Sequence, residues 1–205
     1  AQTAGLVDLN VGLITVDFAV FAGHKTLYGP TGISGFVMNP SVKIPAVIFG
    51  GTGYESANQD MPEDLPQKYE MGTLNISGIA GLNAALGWSA QVTIKAIREK
   101  EAENRKRLID LLSRYSYIKI IGNYDSCNYV GIVSCIIEGI SSDSAGPVFD
   151  RCGIAVRTGL QCAPLAHQFM GTFPAGTIRF SVNYFTTDKD FAELEEALDY
   201  IESEL

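Results

Sequence analysis

The chain has 205 residues, 46% of them hydrophobic, which is enough to bury a sizeable core in one or two compact units. Its formal net charge of -8 disfavours nucleic acid as a main partner, because an acidic surface repels phosphate backbones. No apolar run approaches the roughly 20 residues of a membrane-spanning helix, so no membrane partner is expected, and no charged-then-apolar leader pattern is seen.

In chain order, "LITVDFAVF" (13–21) reads as a strand, and "SGFVMN" (34–39) as a second strand beyond a glycine-rich turn. The stretch from Ser41 to Thr73 carries Gly, Pro, Asn and Asp at intervals and reads as one long functional loop. Ile76, Ile79, Leu82 and Leu86 then recur at helical spacing. A long charged helix follows over about 93–115, with Ile94, Ile97, Leu108, Leu111 and Leu112 expected toward the core. Its interleaved charges, "KAIREKEAENRKR", read as a solvated face laced with ion pairs.

The second half changes character. "YIKIIG", "YVGIVSCII", "GIAVRTG" and "TIRFSVNYF" read as strands, the first two antiparallel, with a helix near 144–152. Thr187 reads as an N-cap, and the last helix buries Phe191, Leu194, Leu198 and Ile201. A boundary between two domains is expected near 88–95, giving residues 1–90 and 91–205. The four cysteines, Cys127, Cys135, Cys152 and Cys162, form no CxxC pair, and two histidines are too few to suggest a zinc site. Widely spaced thiols point to a reducing, cytoplasmic setting.

Four features carry possible chemistry. Lys25 lies in "FAGHKTLYGPTGISGF" (21–36), where glycines and a proline frame a lysine at a strand end; covalent chemistry there calls for a fixed backbone and a partly desolvated amine. Cys162 lies in "VRTGLQCAP". Arg157 and Arg179 stand in apolar, strand-like surroundings. Gly72 and Thr73 precede a helix, whose N-terminus suits a phosphate. Each has an ordinary explanation: a snorkelling lysine, a small core thiol, an arginine paired to a carboxylate, and an N-cap. His24 alone reads as a satisfied histidine. Among the thiols, Cys135 falls inside an apolar strand, Cys152 at a helix end and Cys127 in a turn without a neighbouring cation, whereas Cys162 sits in a loop five residues after an arginine.

Taken together, "VDFAVFAGHKTLYGPTGISGF", "GGTG", "YEMGTLNISGIAGLNAAL" and "VRTGLQCAP…IRFSVNYFTTDKD" resemble, in order and spacing, successive segments of the class V aminotransferase family. Within it, "RTGLQCAP" is similar to the active-cysteine segment of cysteine desulfurases and selenocysteine lyases. The resemblance spans essentially the whole chain and corresponds to the C-terminal half of the family's length. It implies an α/β architecture of pyridoxal-phosphate fold type I, with 1–90 as the end of the large mixed-sheet domain and 91–205 as the small C-terminal domain. It implies pyridoxal 5'-phosphate as cofactor, joined to Lys25 as a Schiff base, with His24 at the phosphate and Gln2 at the phenolic oxygen. Gly72 and Thr73 match a segment that reaches a phosphate across a homodimer interface. Arg179 matches the arginine that grips the substrate carboxylate, Arg157 lines the same pocket, and Cys162 matches the nucleophile that takes sulfur from L-cysteine. The short loop after Cys162 favours the branch whose cysteine hands its sulfur to a partner protein. The alternatives are another class V aminotransferase or a cysteine/selenocysteine lyase in which Cys162 is incidental, and a non-catalytic dimerisation module.

Overall fold

The computed structural model describes residues 1–7, 9–122 and 129–204. The chain divides into two compact units, Ala1–Ile94 and Lys95–Leu205.

The first unit holds a two-stranded antiparallel sheet, β1 (Phe18–Ala22) and β2 (Ser34–Met38), with Phe18 opposite Met38 and Ala22 opposite Ser34. β1 starts later than the apolar run that announced it. Asn10 accepts the N–H of Gly12 on its side chain and that of Leu13 on its carbonyl, so residues 10–14 close a turn. Phe18 and Phe36 stack with centroids 4.6 Å apart, and Phe36 meets the Tyr69 ring edge-on. From Ser41 to Asn75 the described backbone forms no strand and no α-helix, only a single 3-10 turn at Gln67–Tyr69. The long loop is anchored by Tyr69, whose hydroxyl donates to the Ile44 carbonyl at 2.6 Å.

Helix α1 (Ile76–Val92) follows. Leu82 is buried, but Ile76, Ile79 and Leu86 stay exposed, so the helical spacing is right while most of its apolar residues are uncovered within this chain. The buried stripe runs through Gly78, Leu82 and Ser89 instead. Thr93 ends the helix with φ at +76°, a conformation that β-branched residues rarely adopt, and α2 (Ile94–Leu112) begins after it rather than at Thr93. Ile94 is exposed, against expectation, because it stands at the first turn, ahead of the buried stripe of Ile97, Leu108, Leu111 and Leu112.

The second unit is a four-stranded antiparallel sheet in the order β3-β4-β6-β5, formed by β3 (Ile118–Ile121), β4 (Ile132–Ile137), β5 (Arg157–Gly159) and β6 (Thr177–Ser181). Alternation along β4 buries Val133, Cys135 and Ile137, and along β6 it buries Ile178 and Phe180. These meet Leu108 and Leu112 of α2, Phe149 of α3 (Ser142–Arg151) and Leu194, Leu198 and Ile201 of α5 (Asp188–Glu204) in one core. β5 is shorter than expected, because the N–H groups of Gly153 and Ile154 turn back to Asp150 and Phe149 at the end of α3 and leave only three residues for the sheet. A short helix, α4 (Pro164–Phe169), follows the Cys162 turn, where only a loop is expected; its Pro164 sits in the first turn, where a missing N–H costs nothing. At the start of α5, Asp190 accepts from both the backbone N–H and the hydroxyl of Thr187, at 2.7 and 2.8 Å.

Asn104 ties this unit together from within α2. It is fully buried, and its Nδ2 donates to the carbonyls of Asn183 and Thr186, in the turn that follows β6. Asn104→Ala strands both carbonyls. It should lower stability by about 1–3 kcal/mol, read as a shift in urea midpoint, while exposed Glu103→Ala should move it little.

Candidate active site

In the second unit, the register of β5 on β6 sets Arg157 directly opposite Arg179, and Arg179 in turn opposes Ser134 of β4. Ile178 and Phe180, on either side of Arg179, enter the core, so the two guanidinium groups share the other face of the sheet. Like charges in opposed positions are destabilising unless something of opposite charge stands with them. Burial, and then the Arg157 charge, push Arg179 below its ordinary value, while the Cys162 sulfur acts the other way. The Nε–H of Arg179 is buried and has no hydrogen-bond partner among the described residues.

Cys162 completes this cluster. Arg157 donates from Nη2 to its Sγ at 3.2 Å, and the thiol is otherwise exposed. It stands on a tight turn, Leu160–Ala163, closed by the Ala163 N–H on the Leu160 carbonyl at 2.8 Å. Gln161 and Cys162 have φ of +54° and +61°, the pattern of a mirror-image turn that normally selects Gly, Asn or Asp. The turn is framed by glycine: a Cβ at Gly176 would run into the Gly159 backbone, so the ends of β5 and β6 can close on each other only with glycine there.

In the first unit the lysine frame is equally tight. The Gly23 N–H bonds to Ile33, and the Gly29 N–H returns to the Gly23 carbonyl at 2.8 Å, pinching off the loop that holds His24 and Lys25. A Cβ on Gly29 would lie 2.8 Å from that carbonyl and 2.9 Å from Leu82 of α1. The segment carrying Gln2 lies beside the same turn, since a Cβ at Gly5 would sit 2.9 Å from the Leu27 side chain and 3.0 Å from the Thr26 carbonyl. The backbone around Lys25 is therefore fixed, as expected, but the side chain is exposed along with His24, and the expected partial desolvation is not met within this chain. The N-cap of α1 is Asn75, not Thr73: its Oδ1 accepts the Gly78 N–H at 2.9 Å while its Nδ2 donates to the Gly32 carbonyl at 3.0 Å. Gly72 and Thr73 precede it, exposed, with the Gly72 N–H held by the Gly51 carbonyl at 2.7 Å.

The family model described as aminotransferase class V matches residues 1–194. The chain belongs to the class V aminotransferase family. It is 32% identical over 207 residues to a probable cysteine desulfurase of Methanothermobacter thermautotrophicus, covering 98% of this chain and 51% of that one. It is 34% identical over 203 residues to probable cysteine desulfurase 2 of Mycobacterium leprae, covering 95% and 47%. Among solved structures, the apo cysteine desulfurase of Thermococcus onnurineus superposes with a TM-score of 0.86 at 26% identity, covering all of this chain and 52% of that one. An S-sulfonic acid form of an Escherichia coli cysteine desulfurase gives 0.84 at 25%, covering all of this chain and 51% of that one. The chain thus spans about half the length of the curated relatives it matches, and its fold is that of the pyridoxal-phosphate enzymes of this family.

For a class V family chain, the donor set suits a phosphorylated pyridine aldehyde: an amine on a rigid glycine turn, an imidazole beside it, and an amide on the adjoining segment. The structure brings Arg157, Arg179 and Cys162 together in one unit, and the Gln2 segment, His24 and Lys25 together in the other. Gln161 escaped the sequence reading, because nothing in a lone glutamine before a cysteine announces that its amide will be spent on the backbone. Cys152 is exposed at the end of α3, and Cys127 lies outside the described residues. Among the described residues, no group of three or more His, Cys, Asp or Glu could hold a metal ion.

Cys135 differs sharply from Cys162. Burial pushes its thiol from the ordinary 9.0 up to about 12, so in the folded chain it stays protonated where an unfolded chain would ionise. The native state then binds the extra proton, and this residue's contribution to stability is lost as pH rises from about 9 to about 12. At pH 9 iodoacetamide should label Cys152 and Cys162 and spare Cys135 until urea is added. The urea midpoint should fall more steeply above pH 9 than in Cys135→Ala.

Proposed function

We propose that the full protein is a pyridoxal-phosphate-dependent cysteine desulfurase. It converts L-cysteine to alanine and leaves the sulfur as a persulfide on Cys162. The observation that carries this reading is the 3.2 Å contact between Arg157 Nη2 and Cys162 Sγ, beside a second arginine on the neighbouring strand. A nucleophilic thiolate and an anionic substrate carboxylate both need that concentration of positive charge.

Lys25 would hold the cofactor through its amine, with His24 at the phosphate, Gln2 at the phenolic oxygen, and Gly72–Thr73 at a phosphate across a dimer interface. Bound pyridoxal phosphate supplies an electron sink for charge developing at the substrate's Cα. Arg179 orients the substrate by two parallel N–H···O bonds to its carboxylate, a fork that a lysine lacks. The Lys25 amine would also move the proton at Cα. Cys162 attacks the substrate sulfur as thiolate: the S–S bond forms, the C–S bond breaks, and its electron pair stays with the carbon, which takes up protons and leaves as alanine. No external oxidant is needed, because the transferred sulfur is oxidised from the thiol to the persulfide level while the carbon that keeps the electron pair is reduced to the methyl group of alanine. Arg157 steadies the thiolate before attack.

The same reading has the first unit as the end of the cofactor domain and the second as the small C-terminal domain of a cytoplasmic homodimer. Phe18, Val20 and Phe36 are exposed on one face of a two-stranded sheet, an apolar surface of the kind that further chain or a second subunit covers. The exposure of Cys162 fits delivery of its sulfur to the thiol of a partner protein.

In the full protein, Cys162→Ala should keep the cofactor's visible absorption and its response to added cysteine but lose alanine and persulfide formation. Near-normal alanine release from that variant would leave a different class V aminotransferase or lyase as the better account. Arg179→Lys keeps charge but loses the fork. It should raise the apparent KM for cysteine, and Arg179→Ala should cost on the order of 2–5 kcal/mol in kcat/KM; an unchanged KM in both would move the carboxylate site elsewhere.

A further inference from the structure

The turn that carries Cys162 has two successive residues, Gln161 and Cys162, with φ of +54° and +61°, a conformation that L side chains avoid. Such a turn persists only when its surroundings over-determine it. The surroundings here converge on one side-chain amide. Gln161 Nε2 donates to the Arg157 carbonyl at 2.9 Å, and it also lies 3.2 Å from the Thr177 carbonyl and 3.3 Å from the Gly159 carbonyl. Gly159 and Thr177 are the last opposed pair of the β5–β6 ladder. The amide therefore clasps the end of both strands that carry the arginines, from the residue immediately before the nucleophile. Turning the amide over would aim its oxygen at three carbonyls, so the network itself fixes which atom is nitrogen. Gln161 is half-buried, whereas Cys162 is exposed: the glutamine points in and the cysteine out of the same turn.

We infer that Gln161 is a positioning residue, whose amide locks the strained turn to β5 and β6 and thereby holds the Cys162 sulfur against the Arg157–Arg179 pair. The inference rests on Cys162 being the sulfur acceptor, but it concerns where the sulfur is held rather than what it reacts with. The charged groups that face the sulfur are Arg157 on β5, in direct contact, and Arg179 on β6. A sulfur held beside two guanidinium groups meets an anionic electrophile in a field that favours it. A sulfur on a loosened turn does not.

The test compares alkylation of Cys162 by anionic iodoacetate and by neutral iodoacetamide in the full protein, resolved by site with mass spectrometry. Cys152 serves as the exposed reference, and continued protection of Cys135 reports an intact core. The iodoacetate-to-iodoacetamide ratio at Cys162 should fall several-fold in Gln161→Met, which keeps the length of the side chain and loses its donor. The ratio at Cys152 should not move. Gln161→Gly accepts the positive φ without strain but has no amide, and it should lose selectivity as well. An unchanged ratio in Gln161→Met overturns the inference. So does a wild-type ratio in Gln161→Gly, since the backbone alone would then hold the turn, and so does loss of Cys135 protection in both variants, since the glutamine would then serve folding as a whole. Labelling needs no turnover, so it can fail while the desulfurase reading stands, and the alanine assay of Cys162→Ala can fail while the clasp stands.

Discussion

The alternation of β6 governs the candidate site. Ile178 and Phe180 must enter the core, because each is almost completely removed from water, and a strand that sends both inward sends the residue between them outward. Arg179 therefore has no choice of face. Antiparallel register then places Arg157 opposite it, and the chain leaves β5 after only three residues, which keeps Cys162 within reach of Arg157. A one-residue slip of β5 against β6 would separate the two arginines and turn the cluster away from the thiol. The hydrophobic core on one side of the sheet is thus what concentrates positive charge on the other.

Glycine has a parallel role in both units, for a steric reason. The lysine turn closes because Gly29 approaches the Gly23 carbonyl and Leu82 more nearly than a side chain allows. The cysteine turn closes because Gly176 meets Gly159 backbone to backbone. In both places, a residue with chemical potential sits on a loop pinned at its base by glycine contacts; the lysine loop leads into β2 and the cysteine turn into α4. The difference is exposure to strain. Lys25 stands on a loop whose left-handed residue is Tyr28, three positions on, whereas Cys162 is itself left-handed and needs the Gln161 amide beside it.

Much of the second unit was legible because its signals are local and agree with one another. The apolar run "IVSCII" reads as a strand and forms one, with alternate residues buried, and the i, i+3, i+7 spacing of Phe191, Leu194 and Leu198 admits one buried face, which the last helix buries. The first unit was less legible. Ile76, Ile79 and Leu86 have helical spacing and lie on a helix, yet remain exposed, because periodicity predicts a face and not the presence of a neighbour to cover it. The helix start at Ile94, the late start of β1, the short β5 and the unexpected α4 all turned on where individual N–H groups found their partners, which no pattern of apolar residues records.

By itself the sequence determined the residue types that chemistry would need and the family they belong to: a lysine framed by glycines, a cysteine after "RTGLQ", and two arginines in apolar strands. Order and spacing along the chain carry that information, since they fix which elements the residues can occupy. The tertiary structure decided which of them meet. Arg157 and Arg179 are far apart in sequence and become opposite partners only through sheet register. The Cys162 turn adopts positive φ only because a side-chain amide, two strand ends and two glycines converge on it. Such convergence is a property of three-dimensional contact between distant segments, and one residue's identity says nothing about the carbonyls it will find.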